Sequence, residues 1–320
     1  MKKLFFAILL CAIPVFFFFN RSKQRNEKNT PQIGIILPLT HPSLQKIVDG
    51  FCSKMTALAG NNYSFLIRDA HGDQVIQQPA IIDEMLYKKV CLMVPIGTLC
   101  TQMTVQKATT TPVIGLASSK KSIESSSLGY VIEDEIDMKT HCSFIKNCIP
   151  SISKVAIIAT QNEKTVPEIE QFRNEALNSG IAVQIIFIQN SSEIYLATHS
   201  IDADVQAIFI LKDHAVVSGI ATIAAFASER KIPLIASDEG SVEQGASCAL
   251  GIKEKSIGEH GAVLAYKLLT ESSDVLEKSR QLSDITVFVN KKNAKKQNLR
   301  ISLINTFCST MNYHLEKVKI

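Results

Sequence analysis

Past residue 31, short apolar runs rich in β-branched residues alternate with longer stretches in which apolar residues recur at helical spacing. Residues 33–37 form a continuous apolar run, as expected of a strand buried on both faces. Leu44, Ile47, Val48, Phe51, Met55 and Leu58 then recur three or four residues apart, which predicts a helix over 43–58. The same reasoning predicts strands over 65–67, 90–96 and 112–116, separated by helices over 75–87 and 99–108. The pattern then restarts. Helices are expected over 139–147, 166–178 and 216–231, and strands over 155–159, 182–188, 207–211 and 233–236. Strands alternating with helices imply right-handed βαβ units and parallel sheets. Two similar halves therefore predict an α/β fold of two doubly wound parallel-sheet lobes joined by a hinge.

The polar stretch 118–127 separates the halves. Val131-Ile132 reads as a crossing strand, 246–252 as a second crossing, and 285–289 as a last strand and candidate third crossing. A helix over 257–269 would pack back on the first lobe. The expected division is 31–131 with about 250–280 as lobe 1, 132–249 with about 281–300 as lobe 2, and 301–320 as a C-terminal tail. Lys291, Lys292, Lys295, Lys296 and Arg300 near that tail read as a solvated face.

Residues 1–30 have the plan of an export signal: Lys2 and Lys3, an apolar run over 4–19, then a polar tether. The run ends in Phe16 to Phe19 without a small-residue cleavage site. The expectation is an exported, cell-envelope protein tethered to the inner membrane by an uncleaved signal. Lipid attachment at Cys11 is the rival, with Leu10 where a small residue would be needed. The basic residues after the run weigh against the anchor, since positive charge favours the cytoplasmic side.

Composition is that of a globular protein, 46% hydrophobic and 20% charged, which excludes disordered, fibrous and polytopic membrane classes. The net charge of +4 is concentrated in residues 1–30, which hold six Lys/Arg and one acid; the remainder holds 28 bases against 29 acids. A near-neutral body argues against nucleic acid as a partner. Seven cysteines besides Cys11 contain no C-x-x-C pair, and His141-Cys142 with Cys148 lacks the spacing of a structural zinc site. No metal or cofactor is expected; a Cys142–Cys148 disulfide stays open.

Ligands of open α/β sheets bind at the carboxyl ends of the strands. Those ends carry Thr40, His41, Thr98, Ser118 and Ser119 in the first half, and Glu163, Asp213, Ser237 and Asp238 in the second. Hydroxyls and helix N-termini in one lobe would hold a carboxylate, and acids in the other an ammonium. Against this, Thr40, Thr98 and Asp213 also suit plain helix capping, and His41 before Pro42 a rigid helix entry. No G-x-S-x-G, G-x-x-x-x-G-K-[ST] or G-x-G-x-x-G motif occurs, so no catalytic residue is assigned.

These strand ends bring the chain close to a known family. It resembles the substrate-binding proteins of ABC importers of the tryptophan- or aromatic-amino-acid-binding type, with a type I periplasmic-binding-protein fold. The matching stretches include Ile33-Gly34-Ile35, His41-Pro42, Ala70-His71-Gly72-Asp73, Ile232-Pro233, Ala236-Ser237-Asp238-Glu239, Gly245-Ala246 and Val289-Asn290. The resemblance implies ligand contacts at Thr40, Thr98, Glu163, Asp213 and Asp238, an amino-acid ligand, and an ABC permease and ATPase as partners. The chain departs from the family where Ser119-Lys120 replaces Asp-Pro, His214 an Asn, Ala159-Thr160 a Tyr-Asn pair, and Leu37 a Gln. A membrane-tethered sensor or adaptor is the alternative reading, and an enzyme has the least support.

Overall fold

The computed structural model describes residues 30–271 and 276–318; the expected N-terminal signal or anchor lies outside them. The chain forms two sheets, each covered by helices on both faces. The first has the order β11-β5-β4-β3-β1-β2 and is parallel throughout. Its strands are β1 (Gln32–Leu37), β2 (Ser64–Asp69), β3 (Leu92–Pro95), β4 (Val113–Leu116), β5 (Gly129–Glu133) and β11 (Ser279–Gln281). The second has the order β13-β12-β10-β9-β8-β6-β7. It comprises β6 (Lys154–Thr160), β7 (Ala182–Ile188), β8 (Ala207–Phe209), β9 (Leu234–Ala236), β10 (Cys248–Ile252), β12 (Ile285–Val289) and β13 (His314–Lys317). Only the β10–β12 pairing is antiparallel.

The period-2 pleat explains the unbroken apolar runs. Ile33, Ile35 and Leu37 turn to one face of the first sheet with Ile47 and Phe51 of α1 (Pro42–Ala59), while Ile36 turns to the other with Ile82 and Met85 of α2 (Gln77–Tyr87). In the second sheet Val155 and Ile157 face Phe172 of α5 (Thr165–Asn178), and Ala156 and Ile158 face Ile220 and Ile223 of α8 (Ile220–Arg230). Each fully buried Ile or Phe contributes roughly 1.5–3 kcal/mol.

The remaining helices are α3 (Thr98–Lys107), α4 (Met138–Cys148), α6 (Ile194–His199), α7 (His214–Ser218), α9 (Glu239–Glu243), α10 (Glu254–Thr270), α11 (Lys291–Lys296) and α12 (Ile301–Met311). The apolar runs read as crossings are strands of the sheets: Val131-Ile132 lies in β5, and 248–252 is β10. The chain passes between sheets just after them, at 134–137 and at Lys253, and again before β12 at 282–284. The expected helix over 216–231 is two helices broken at Gly219, the residue type least suited to a helix interior after Pro. The segment read as a tail carries α12, whose Ile304 and Phe307 enter the second core, and edge strand β13. Cys142 and Cys148 are both free thiols on α4, buried among apolar neighbours.

Candidate functional site

In the first sheet the chain runs from β1 out to β2 and then returns to place β3 on the other side of β1. The second sheet repeats this around β6, with β7 on one side and β8 on the other. Strand order therefore reverses between β1 and β3 and between β6 and β8, and loops diverge there to leave a crevice. The two crevices face each other across a cleft of about 810 Å³. Thr40, His41, Gly97 and Thr98 line it from the first lobe, and Thr160, Asn162, Asp213 and His214 from the second. Asp134 and Glu135 of the first crossing, with Ile252 and Glu254 beside the second, form its floor.

Each lining side chain is held by local structure. His41 precedes α1 in extended conformation, and its Nδ1 accepts the Ser43 N–H at 3.2 Å; Pro42 opens the helix. Burial lowers the His41 pKa, against the pull of Asp238 and Glu243. The Thr40 hydroxyl donates to Asp69 Oδ2 at the end of β2. Gly97 has φ 89°, a conformation that favours glycine, and lets the loop after β3 approach the His214 ring across the cleft. Thr98 Oγ1 accepts the Ser119 N–H at 3.2 Å, tying the loops after β3 and β4 together.

On the opposite wall Asp213 accepts the Thr160 N–H at 2.6 Å, its hydroxyl at 2.7 Å and the Ala215 N–H at 3.0 Å. Asp238 accepts the Ser241 N–H at 2.8 Å and hydroxyl at 2.6 Å, and the Ser43 hydroxyl of the first lobe at 2.8 Å. Both acids are thus helix caps and cleft walls at once. With three donors each, they keep about one of four acceptor positions free. His214 forms no hydrogen bond among the described residues; burial and nearby Lys164 push its pKa down to about 4, so the ring is neutral at pH 7.

Other predicted site residues fall elsewhere. Ser118 is buried against Ser122, Ser119 caps a 3-10 turn (Lys120–Ile123), and Glu163 is exposed; none lines the cleft. Ser237 donates to the Ile210 carbonyl at 2.8 Å and lines a second cavity of about 290 Å³ beside the cleft. Sequence reasoning missed Lys212, which lines both spaces and pairs with Asp134. Against the desolvation of burial, that carboxylate raises the Lys212 pKa. The signal was present, since Lys212 directly precedes the strand-end Asp213. Glu135 and Glu254 were missed as well, because they sit at crossings instead of simple strand ends. Among the described residues no cluster of His, Cys, Asp or Glu is arranged to hold a metal ion.

Two doubly wound lobes that enclose a cleft at facing switch points are the architecture of proteins that bind a small molecule between lobes. Residues 32–304 match the family model of the ABC transporter substrate binding proteins, and the chain belongs to that family. It is 33% identical over 270 residues to an uncharacterized protein of Rickettsia prowazekii, covering 84% of this chain and 86% of that one. A tyrosine-binding protein of Clostridioides difficile is 26% identical over 267 residues, 79% of this chain and 77% of its own. Among solved structures, the ABC domain in complex with L-Trp from Streptococcus pneumonia has a TM-score of 0.79 at 19% identity, covering 87% of this chain and 98% of that one. The family is one of binding proteins, not enzymes, and such proteins are usually extracytoplasmic. Among the described residues no helix is long and apolar enough to cross a membrane.

Proposed function

We propose that this substrate-binding protein is exported, remains tethered through residues 1–30, and captures an amino acid that it delivers to an ABC permease and its ATPase. The observation that carries the reading is the complementarity of the facing switch points. The Thr98 hydroxyl and the N-terminus of α3 offer donors for a carboxylate, and Asp213 and Asp238 each keep an acceptor position for an ammonium. The tyrosine-binding relative and the Trp-bound structure support an amino acid as ligand. Among the described residues no Phe, Tyr or Trp lines the cleft, so an aromatic ligand would rest on Leu39, Ile96 and Val217 and on the imidazoles of His41 and His214.

A thermal-shift screen of the purified protein against the proteinogenic amino acids tests this. Binding raises the midpoint by mass action, worth about 4 kcal/mol at a thousandfold excess over Kd. A shift confined to one class of amino acid supports the reading and names the ligand. No shift with any of them overturns the amino-acid assignment and favours the sensor or adaptor role.

A further inference from the structure

Glu239, the first residue of α9, and Glu254, the first residue of α10, meet behind the cleft wall, 7% and 3% exposed. Glu254 Oε1 accepts the Glu239 N–H at 2.7 Å, which brings the two carboxyl groups together. Each keeps one fully buried oxygen, Glu239 Oε2 and Glu254 Oε2, with no donor from any other described group. Two carboxylates cannot bond to one another, and two orphaned buried oxygens would be costly. One proton between them satisfies both.

We propose that Glu239 and Glu254 form a proton-binding site in the wall of the ligand cleft, holding one shared proton at neutral pH. The surrounding charges fit a pair with a single negative charge. Lys46 of α1 reaches Glu239 Oε1 at 2.5 Å and Glu243 at 2.7 Å. Asp238 caps the same helix. Of the other nearby cations, Lys253 is paired with Glu316 of β13, and Lys212 with Asp134 of the crossing. A second charge on the pair would leave Lys46 facing Glu239 and Glu243 with Glu254 uncompensated. Burial and the neighbouring carboxylates hold the Glu254 pKa well above its usual value, while Glu239 is driven the other way.

Glu254 also lines the cleft. An occupant that excludes water there raises the proton affinity of the pair further, so the pair keeps its proton to higher pH when the cleft is filled. This coupling rests on the cleft taking a ligand, whereas the proton site itself does not. Infrared spectra of the ligand-free protein over a pH series test the site directly. A carboxylic C=O band persisting to about pH 7, far above the usual carboxylate range, is expected, and Glu254→Gln should remove it. Glu254→Gln keeps the neutral shape, so its stability relative to wild type should grow steadily from about pH 5 to pH 8. Absence of the band from the wild-type spectrum overturns the proposal whether or not the variant folds. So does a stability difference that stays flat with pH.

Discussion

At the scale of single residues, the acids read from the sequence as ammonium partners are also structural. Asp213 joins the end of β6 to the start of α7 through three hydrogen bonds, two of them to Thr160. Charge-assisted hydrogen bonds in buried settings are worth about 1.5–3 kcal/mol each to remove, with losses that overlap. Asp213→Ala should therefore lower the unfolding free energy by about 2–4 kcal/mol without any ligand, measured by urea denaturation. Thr160→Val, which removes the hydroxyl that donates to Asp213 and accepts from Asn162 Nδ2 but keeps the backbone N–H bond, should cost about 1.5–3 kcal/mol. A near-unchanged urea midpoint for Asp213→Ala would assign the residue to ligand contact alone. Asp238 has the same double character, since Ser43 ties it to the first lobe. Loss of binding in Asp238→Ala is thus interpretable only beside the stability of the unliganded variant.

At the scale of elements, the decisive contact is the crossing of α1 and α10, which joins the N-terminal part of lobe 1 to the helix that returns after β10. Gly258 of α10 lies so close to α1 that an added Cβ would run into the Ile47 carbonyl and the Phe51 amide nitrogen. Backbone cannot yield as a side chain can, so the helices must separate. Gly258→Ala should destabilise by about 2–4 kcal/mol even though alanine favours a helix. Gly60→Ala meets no neighbouring atom, and its cost of about 1–3 kcal/mol comes from a backbone conformation, φ 59° and ψ −136°, open essentially to glycine alone. Circular dichroism melts measure both, and a Gly258→Ala midpoint close to that of wild type would mean that α1 and α10 can move apart. Much of this level was legible in the sequence, because strands buried on both faces must be continuously apolar and each covering helix must repeat at 3.6. Gly219 was passed over because apolar residues flank it at helical spacing. β11 was missed because Ser279-Arg280-Gln281 is an edge strand with no apolar face to declare it. Cleft residues at the strand ends, Thr40, His41, Thr98, Asp213 and Asp238, were legible from topology alone. Those at crossings, Glu135 and Glu254, were not, since their placement depends on how one lobe meets the other.

At the scale of the whole molecule, buried titratable groups of opposite sense set how stability follows pH. Burial lowers His41, pushes His141 down to about 3 and His214 to about 4, each from 6.5. The folded state keeps these rings neutral while the unfolded chain protonates them, so their contribution is fully present above pH 6.5 and is lost as pH falls below it. Glu254 works the other way. Its pKa is raised above 4.5, so its contribution is intact below that value and is lost as pH rises toward the folded pKa. Between pH 4.5 and 6.5 four lowered histidines, His260 among them, oppose two raised carboxyls, Glu135 and Glu254, and stability climbs with pH. Above 6.5 the histidines titrate little, and the downward slope of Glu254 and Glu135 remains. The thermal midpoint of the unliganded protein should therefore peak close to pH 6.5 and decline on both sides. His141 is the cleanest acid-side probe, because its Nδ1 has no partner and its ring packs on Phe209 at 5.2 Å. His141→Phe keeps that ring contact and removes the buried nitrogen, so it should raise the midpoint more at about pH 5 than at about pH 8. An equal change at both values would place the effect in packing instead of protonation.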